Sequence, residues 1–215
     1  THASAHTPGR NEDFSSVFRP LRADWSWCLG GQGLDGMGIL RFAIALFLLV
    51  VPVSAQERFD AEIAYRKSQA AVGQQTGNHD LVDHRGRLLS LSRFRGQPLV
   101  VSLVFTSCAT VCPISTDHLR AAVLDVRKSL GDESFAVLTF GFDASGDRPA
   151  QLSAFAGTHH LSSVPTWFIA SADDTTASQF LAELGFSYRE ATGGFDHVVQ
   201  TTILDAQGRV HRQVY

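Results

Sequence analysis

Between Leu99 and Cys112 the sequence changes its period within a few residues. "LVVSLVF" is apolar almost without a break, "TSCATVC" follows, and Pro113 opens a stretch in which Leu119, Ala122, Val123, Val126 and Leu130 recur at helical spacing. An apolar run of that length suits a strand covered on both faces. Proline is tolerated in the first turn of a helix, and Gly131 is a natural stop. The chain is expected to pass from a buried strand over residues 99–105 straight into a helix. Two thiols, Cys108 and Cys112, straddle the turn between them.

The alternation continues downstream. Residues 135–142 read as a second buried strand, Asp147 as the cap of a helix running through Phe155, and residues 166–170 as a third strand. Residues 175–184 place Ala177, Phe180, Leu181 and Leu184 on one helical face, stopped by Gly185. Upstream, residues 61–75 are polar and helix-compatible, and Asp83-His84-Arg85-Gly86 reads as a hairpin turn. The last segment, "HVVQTTILDAQGRVHRQVY", is two strand-like runs around Asp205-Ala206-Gln207-Gly208. Strand–helix–strand followed by a helix and an antiparallel hairpin predicts an α/β fold: thioredoxin-like, a mixed central sheet flanked by helices, with hairpin insertions.

The first third of the chain has a different character. Met37, the single methionine, opens "MGILRFAIALFLLVVPVSAQ", with one cation at Arg41, an apolar core and a small-residue Val53-Ser54-Ala55 end. That is the layout of a secretory signal, and the run is short for a spanning helix. Cleavage after Ala55 is expected, with retention as an N-terminal membrane attachment the alternative; the residue directly after that point is Gln56 rather than a cysteine, which argues against a lipoprotein. Residues 1–36, with Cys28, lack apolar periodicity and read as upstream translation or a leader. Residues 56–77 then form a polar lead-in and residues 78–215 the folded domain, whose final strand pattern leads to the expectation of a C-terminal truncation. The segment after residue 55 is about 160 residues, enough for one domain with a proper core. Charge is close to balanced, with 18 Lys and Arg against 21 Asp and Glu and no basic stripe, so nucleic acid is not an expected partner.

The exported part carries two cysteines only, four positions apart. A structural disulfide stabilises most when it closes a long loop, and a loop of about five residues gains little. The pair is better explained by chemistry. A thiolate is the reactive and metal-binding form, and a helix N-terminus favours it. Three intervening residues let the sulfurs spread around an ion while still permitting a disulfide. Two sulfurs suit Cu(I), a third ligand is wanted if Cu(II) is also held, and zinc would ask for four.

Among the histidines, His79, His84, His118, His159, His160 and His211 read as solvated or core-edge residues. His197 differs: it follows the glycine-rich "ATGGFDH", is expected in a mobile loop at the start of a strand, and neighbours Asp196, which could orient its ring.

Taken together, "GQPLVVSLVFTSCATVCPIS", "FDASGDRPAQLSAF" and "GFDHVVQTTILDAQGRV" resemble the Sco/SenC family of copper-binding thioredoxin-fold proteins, over residues 78–215. The resemblance implies a role in assembling the dinuclear copper site in subunit II of cytochrome c oxidase, by copper delivery or by thiol reduction. It implies metal ligands at Cys108, Cys112 and His197, with Cys108 and Cys112 also the redox-active pair. It departs from the family at Ala109-Thr110, where Pro-Asp is frequent, at Val198, where serine is common, and at Ala144 and Arg148, which replace the usual neighbours of Asp143 and Asp147. These departures bear on partner choice more than on metal binding. Two readings follow: an exported metallochaperone, periplasmic or on the outer face of the inner membrane, handing Cu(I) or Cu(II) to subunit II or another periplasmic copper or thiol protein; and a thiol–disulfide oxidoreductase acting on a periplasmic client. A peroxide-reducing relative would need a second motif that the sequence does not show.

Overall fold

The structure is a computed structural model that describes residues 58–215. The expected leader over residues 1–36, with Cys28, and the export segment over residues 37–55 lie outside the described residues. The described residues form one compact unit. Among the described residues no helix is long and apolar enough to cross a membrane.

The elements follow the order α1 (Ala61–Ala70), β1 (Asp80–Asp83), β2 (Leu88–Ser90), β3 (Leu99–Val104), α2 (Val111–Leu130), β4 (Ala136–Gly141), α3 (Pro149–Thr158), β5 (Trp167–Ser171), α4 (Asp174–Glu183), β6 (Tyr188–Ala191), β7 (Gly194–His197), β8 (Thr201–Leu204) and β9 (Val210–Val214). Seven strands form one mixed sheet in the order β2-β1-β5-β4-β3-β8-β9, and β6 and β7 form a separate hairpin. The centre is parallel: β3 runs beside β4, and β4 beside β5. The edges are antiparallel, with β1 on β5 and β8 on β3. Helical crossovers are what parallel neighbours require, and α2 and α3 supply them.

Burial explains why the central strands are apolar throughout. All six residues of β4 are buried, as are five of the six in β3. Phe140 of β4 meets the ring of Phe180 from α4 edge-on, at 5.2 Å between centroids. Two polar pairs enter the core: Trp167 Nε1 donates to Thr139 Oγ1 at 3.0 Å, and Thr202 Oγ1 lies 2.6 Å from Gln213 Oε1, whereas Thr116 Oγ1 of α2 is buried without a partner. The hairpin turn at residues 83–86 is held by Asp83, whose Oδ1 accepts the N–H groups of Arg85 and Arg87.

The polar lead-in is helical in its first part. Asp60 caps α1 by accepting from the N–H groups of Glu62 and Ile63, and the chain after the helix is tied to β9 through Gly73 N–H to Val210 O at 2.7 Å. Two expectations are corrected. Asp147 does not cap a helix: Arg148 is the N-cap of α3 and makes no side-chain capping bond, whereas Asp147 turns inward. The late glycine-rich stretch is not a loose loop either. It forms the β6–β7 hairpin, with Thr192 and Gly193 as its turn, and His197 ends a strand rather than starting one. The helical face of α2 is also only partly covered: Val123 is buried, but Val126 and Leu130 are 43% and 64% exposed.

Gly185 has φ +66, and a Cβ there would come within 2.7 Å of the Lys67 carbonyl oxygen and of the Ser68 Cα in α1. Gly185→Ala is expected to destabilise the protein by about 2–3 kcal/mol, from left-handed backbone strain and backbone overlap, read as a lower midpoint in guanidinium unfolding.

Candidate functional site

The parallel pairing of β3 and β4 sets Val104 against Gly141. The loops that leave the two strands therefore run side by side, and a buried carboxylate joins them. Asp147 is 1% exposed. Its Oδ1 accepts both the N–H and the hydroxyl of Thr106 at 2.7 Å, and its Oδ2 accepts the N–H of Asp143 at 3.0 Å. Burial pushes the Asp147 carboxyl above its ordinary value, against the pull of these three donors. Thr106 is two residues before Cys108, so the bracket fixes the start of the thiol-bearing turn.

Cys108 lies in that turn, with its N–H bonded to Phe105 O, and Cys112 lies in the first turn of α2. Thr110, the N-cap, makes no side-chain capping bond, and no acidic residue occupies the first turn. The N–H groups at this helix end are left to the sulfur of Cys108: Cys112 N–H points to Cys108 Sγ at 3.4 Å. Partial burial would raise the Cys108 pKa, but the N–H groups of Cys112, Thr110 and Val111 outweigh it, and the net result lies below the ordinary thiol value. Cys112 behaves in the opposite way. It is 2% exposed. Burial pushes its thiol up to about 12, with a backbone hydrogen bond at Phe105 opposing the shift and Cys108 and the Asp147 charge adding to it. One thiol is half-buried with its pKa lowered by the helix N–H groups; the other is buried with its pKa raised.

His197 is placed by the hairpin, where it stands opposite Tyr188. The hairpin lies against an aromatic group at the ends of β3 and β4: Gly194 has φ +147, and a Cβ there would meet the Phe105 ring at 2.7 Å. The His197 ring is 6.0 Å from that of Phe105 and 5.4 Å from that of Phe142, centroid to centroid. A carbonyl can only accept, so the 3.0 Å contact of His197 Nδ1 with Val198 O places the proton on Nδ1 and leaves the Nε2 lone pair free. The expected orienting partner, Asp196, is engaged elsewhere, accepting from Arg189 Nη2 at 2.9 Å. His197 shares a cavity with Val111, which lies between the two cysteines. Among the described residues no group of three His, Cys, Asp or Glu side chains is close enough to hold a metal ion, so Cys108, Cys112 and His197 are not gathered into a coordination set in this conformation.

Of the remaining histidines, His79 pairs with Glu183 and His159 with Asp117, both at 2.8 Å. The Thr106–Asp147 bracket and the aromatic seat of the hairpin are the site features that sequence reasoning missed. The signal for the first was Thr106 itself, a hydroxyl directly after an apolar strand and two residues before a thiol.

The mixed sheet, with a half-buried and a buried thiol across the turn from β3 into α2, defines a thioredoxin-like fold. The SCO1/SenC family model matches residues 67–214, and the chain belongs to that family. It is 34% identical over 79 residues to the SCO1 protein homolog of Bacillus subtilis, covering 36% of this chain and 39% of that one. The chain spans less than two fifths of the length of the curated relatives it matches. Similar solved structures include Arabidopsis thaliana ScoI with copper bound, with a TM-score of 0.57 and 15% identity over 64% of this chain and 85% of that one. Another is BsSco, described as a member of the Sco family of cytochrome c oxidase assembly proteins with a disulfide switch, with a TM-score of 0.54 and 22% identity over 66% and 83% of the two chains.

Two outcomes are expected. Asp147→Ala leaves three donors without their acceptor and should cost about 3 kcal/mol in guanidinium unfolding of the reduced protein. Iodoacetamide should alkylate Cys108 well before Cys112, as read by peptide mass spectrometry. Because the Cys108 pKa is lowered, its rate should reach half-maximum below pH 9.0, the ordinary thiol value. A later half-maximum would contradict the assigned role of the α2 N-terminus.

Proposed function

We propose that the protein is an exported metallochaperone that takes copper on Cys108, Cys112 and His197 and passes it to the dinuclear copper site of subunit II of cytochrome c oxidase. The observation that carries this reading is an ionisable Cys108 and a buried Cys112 at the start of α2, with a His197 whose Nε2 is free to coordinate and which shares a cavity with Val111 between them. The donor set fits the cargo: two thiolates and an imidazole suit Cu(I), and the imidazole helps to hold Cu(II). Bringing Nε2 to the sulfurs requires a shift of the β6–β7 hairpin. That movement is compatible with an edge built from a two-stranded ribbon outside the main sheet. Family membership and a copper-bound structural neighbour support the reading. The secretory layout of residues 37–55 supports action in the periplasm or on the outer face of the inner membrane, with retention of that segment as a means of attachment.

The asymmetry of the thiols favours a second reading, thiol–disulfide exchange with a client. Cys108 would attack the client disulfide as thiolate, giving a mixed disulfide and releasing one client thiolate. Cys112 would then lose its proton and displace the second client sulfur, leaving the client as dithiol and Cys108–Cys112 as disulfide. The two readings are compatible in one protein but differ in their need for His197.

A copper titration of the reduced protein beside His197→Ala, followed by ultraviolet–visible and electron paramagnetic resonance spectra, separates them. Circular dichroism beforehand establishes that both proteins are folded. One-to-one binding with a thiolate-to-Cu(II) band is expected, lost in the variant together with a fall in affinity of about a hundredfold, since loss of an orienting partner alone commonly costs up to that much. Weak binding by the wild type, or equal binding by the variant, would leave the exchange reaction as the function.

A further inference from the structure

A cavity of about 620 Å³ on the side where His197 lies is bounded by three parts of the chain and reaches the start of α2 at Val111, whereas Cys108 lines a separate cavity toward α3. The segment leading into α1 contributes Arg58, Phe59 and Ala61, the start of α2 contributes Val111, and the hairpin contributes Arg189, Phe195, Asp196 and His197 with Val198. Two guanidinium groups therefore line it against a single carboxylate. Arg189 donates to Asp196 from Nη2 only, and among the described residues its Nε and Nη1 are buried without an acceptor. Donors of a charged group left in that state cost free energy, and a turn of the Arg189 side chain toward the cavity would let them meet a further acceptor. Between the charges the walls are apolar, from Phe59, Ala61, Val111, Phe195 and Val198.

We propose that this cavity is a carboxylate-binding site that receives an acidic side chain from a peptide segment docking at the start of α2. The apolar walls match the methylene stem of such a side chain, and the guanidinium fork matches its carboxylate. Asp196 at the rim opposes a more highly charged anion such as phosphate, whereas a single negative charge is covered by the two arginines. The client protein would then be held by charge while its thiols or imidazoles face the dithiol. The inference rests on the proposed function only for the identity of the client, since carboxylate binding here needs neither copper nor a reactive thiol.

The test uses the full chain, reduced and 15N-labelled, and three probes: a cysteine-free, glycine-rich peptide with two glutamates, the same peptide with glutamines, and acetate. The glutamate peptide is expected to shift the amide signals of Val111, Arg189 and Phe195, with an affinity that falls as salt rises. Arg58→Gln and Arg189→Gln should each weaken it about tenfold, the loss of one charge-assisted bond. Arg58 lies outside the hairpin, so its variant reports on charge without disturbing the Arg189–Asp196 pair. Equal binding of the glutamine peptide, an unchanged affinity in Arg58→Gln, or acetate binding as tightly as the peptide would each overturn the proposal. Copper affinity is unaffected by the peptide result, so a failure here is distinguishable from a failure of the metallochaperone reading.

Discussion

The organisation of the site depends on the Asp147 carboxylate. Parallel pairing of β3 and β4 brings two strand ends into register, but strand pairing alone does not hold the loops beyond them. Asp147 does so by accepting from Thr106 and from Asp143 at once. Burying a carboxylate is costly, and three donors on it recover much of that cost. The turn that carries Cys108 is thereby fixed at its start by a side chain and at its end by the first turn of α2.

From that fixed turn the different behaviour of the thiols follows. The same helix end that offers N–H groups to Cys108 carries Cys112 into the interior, where burial dominates. The α2 N-terminus thus serves one sulfur by electrostatics and hides the other by geometry. Asp147, by lying near enough to oppose ionisation of Cys112, couples the structural bracket to the chemistry. The hairpin is a separate device: it adds an imidazole with a defined tautomer, resting on Phe105 and Phe142 rather than on the main sheet.

Much of this was legible in the sequence. The apolar run before Cys108 and the helical spacing after Pro113 place the thiols on a strand-to-helix turn, because a doubly covered strand and a helix have incompatible periods and the change must fall between them. The mixed sheet followed from the order of the elements. The role of Asp147 was not legible, because an aspartate ahead of a proline-led helix looks like a cap, and only the tertiary neighbour Thr106 shows otherwise. The hairpin was misread for a related reason: Gly193 and Gly194 signal a loop, yet glycines with positive φ are also what a tight ribbon turn and a close approach to Phe105 require. The partner of the His197 ring was equally hidden, since a neighbouring carboxylate is a common choice and the main-chain carbonyl of Val198 leaves no mark in a sequence.

The central claim is that the dithiol and His197 act as one metal site, although the hairpin holds the imidazole apart from the sulfurs here. The most direct measurement is the X-ray absorption spectrum at the copper edge of the reduced, copper-loaded protein. The account predicts a shell of two sulfurs and one imidazole nitrogen, with the nitrogen scattering lost in His197→Ala. A shell of sulfur alone, or one without sulfur, in the wild-type protein would contradict it.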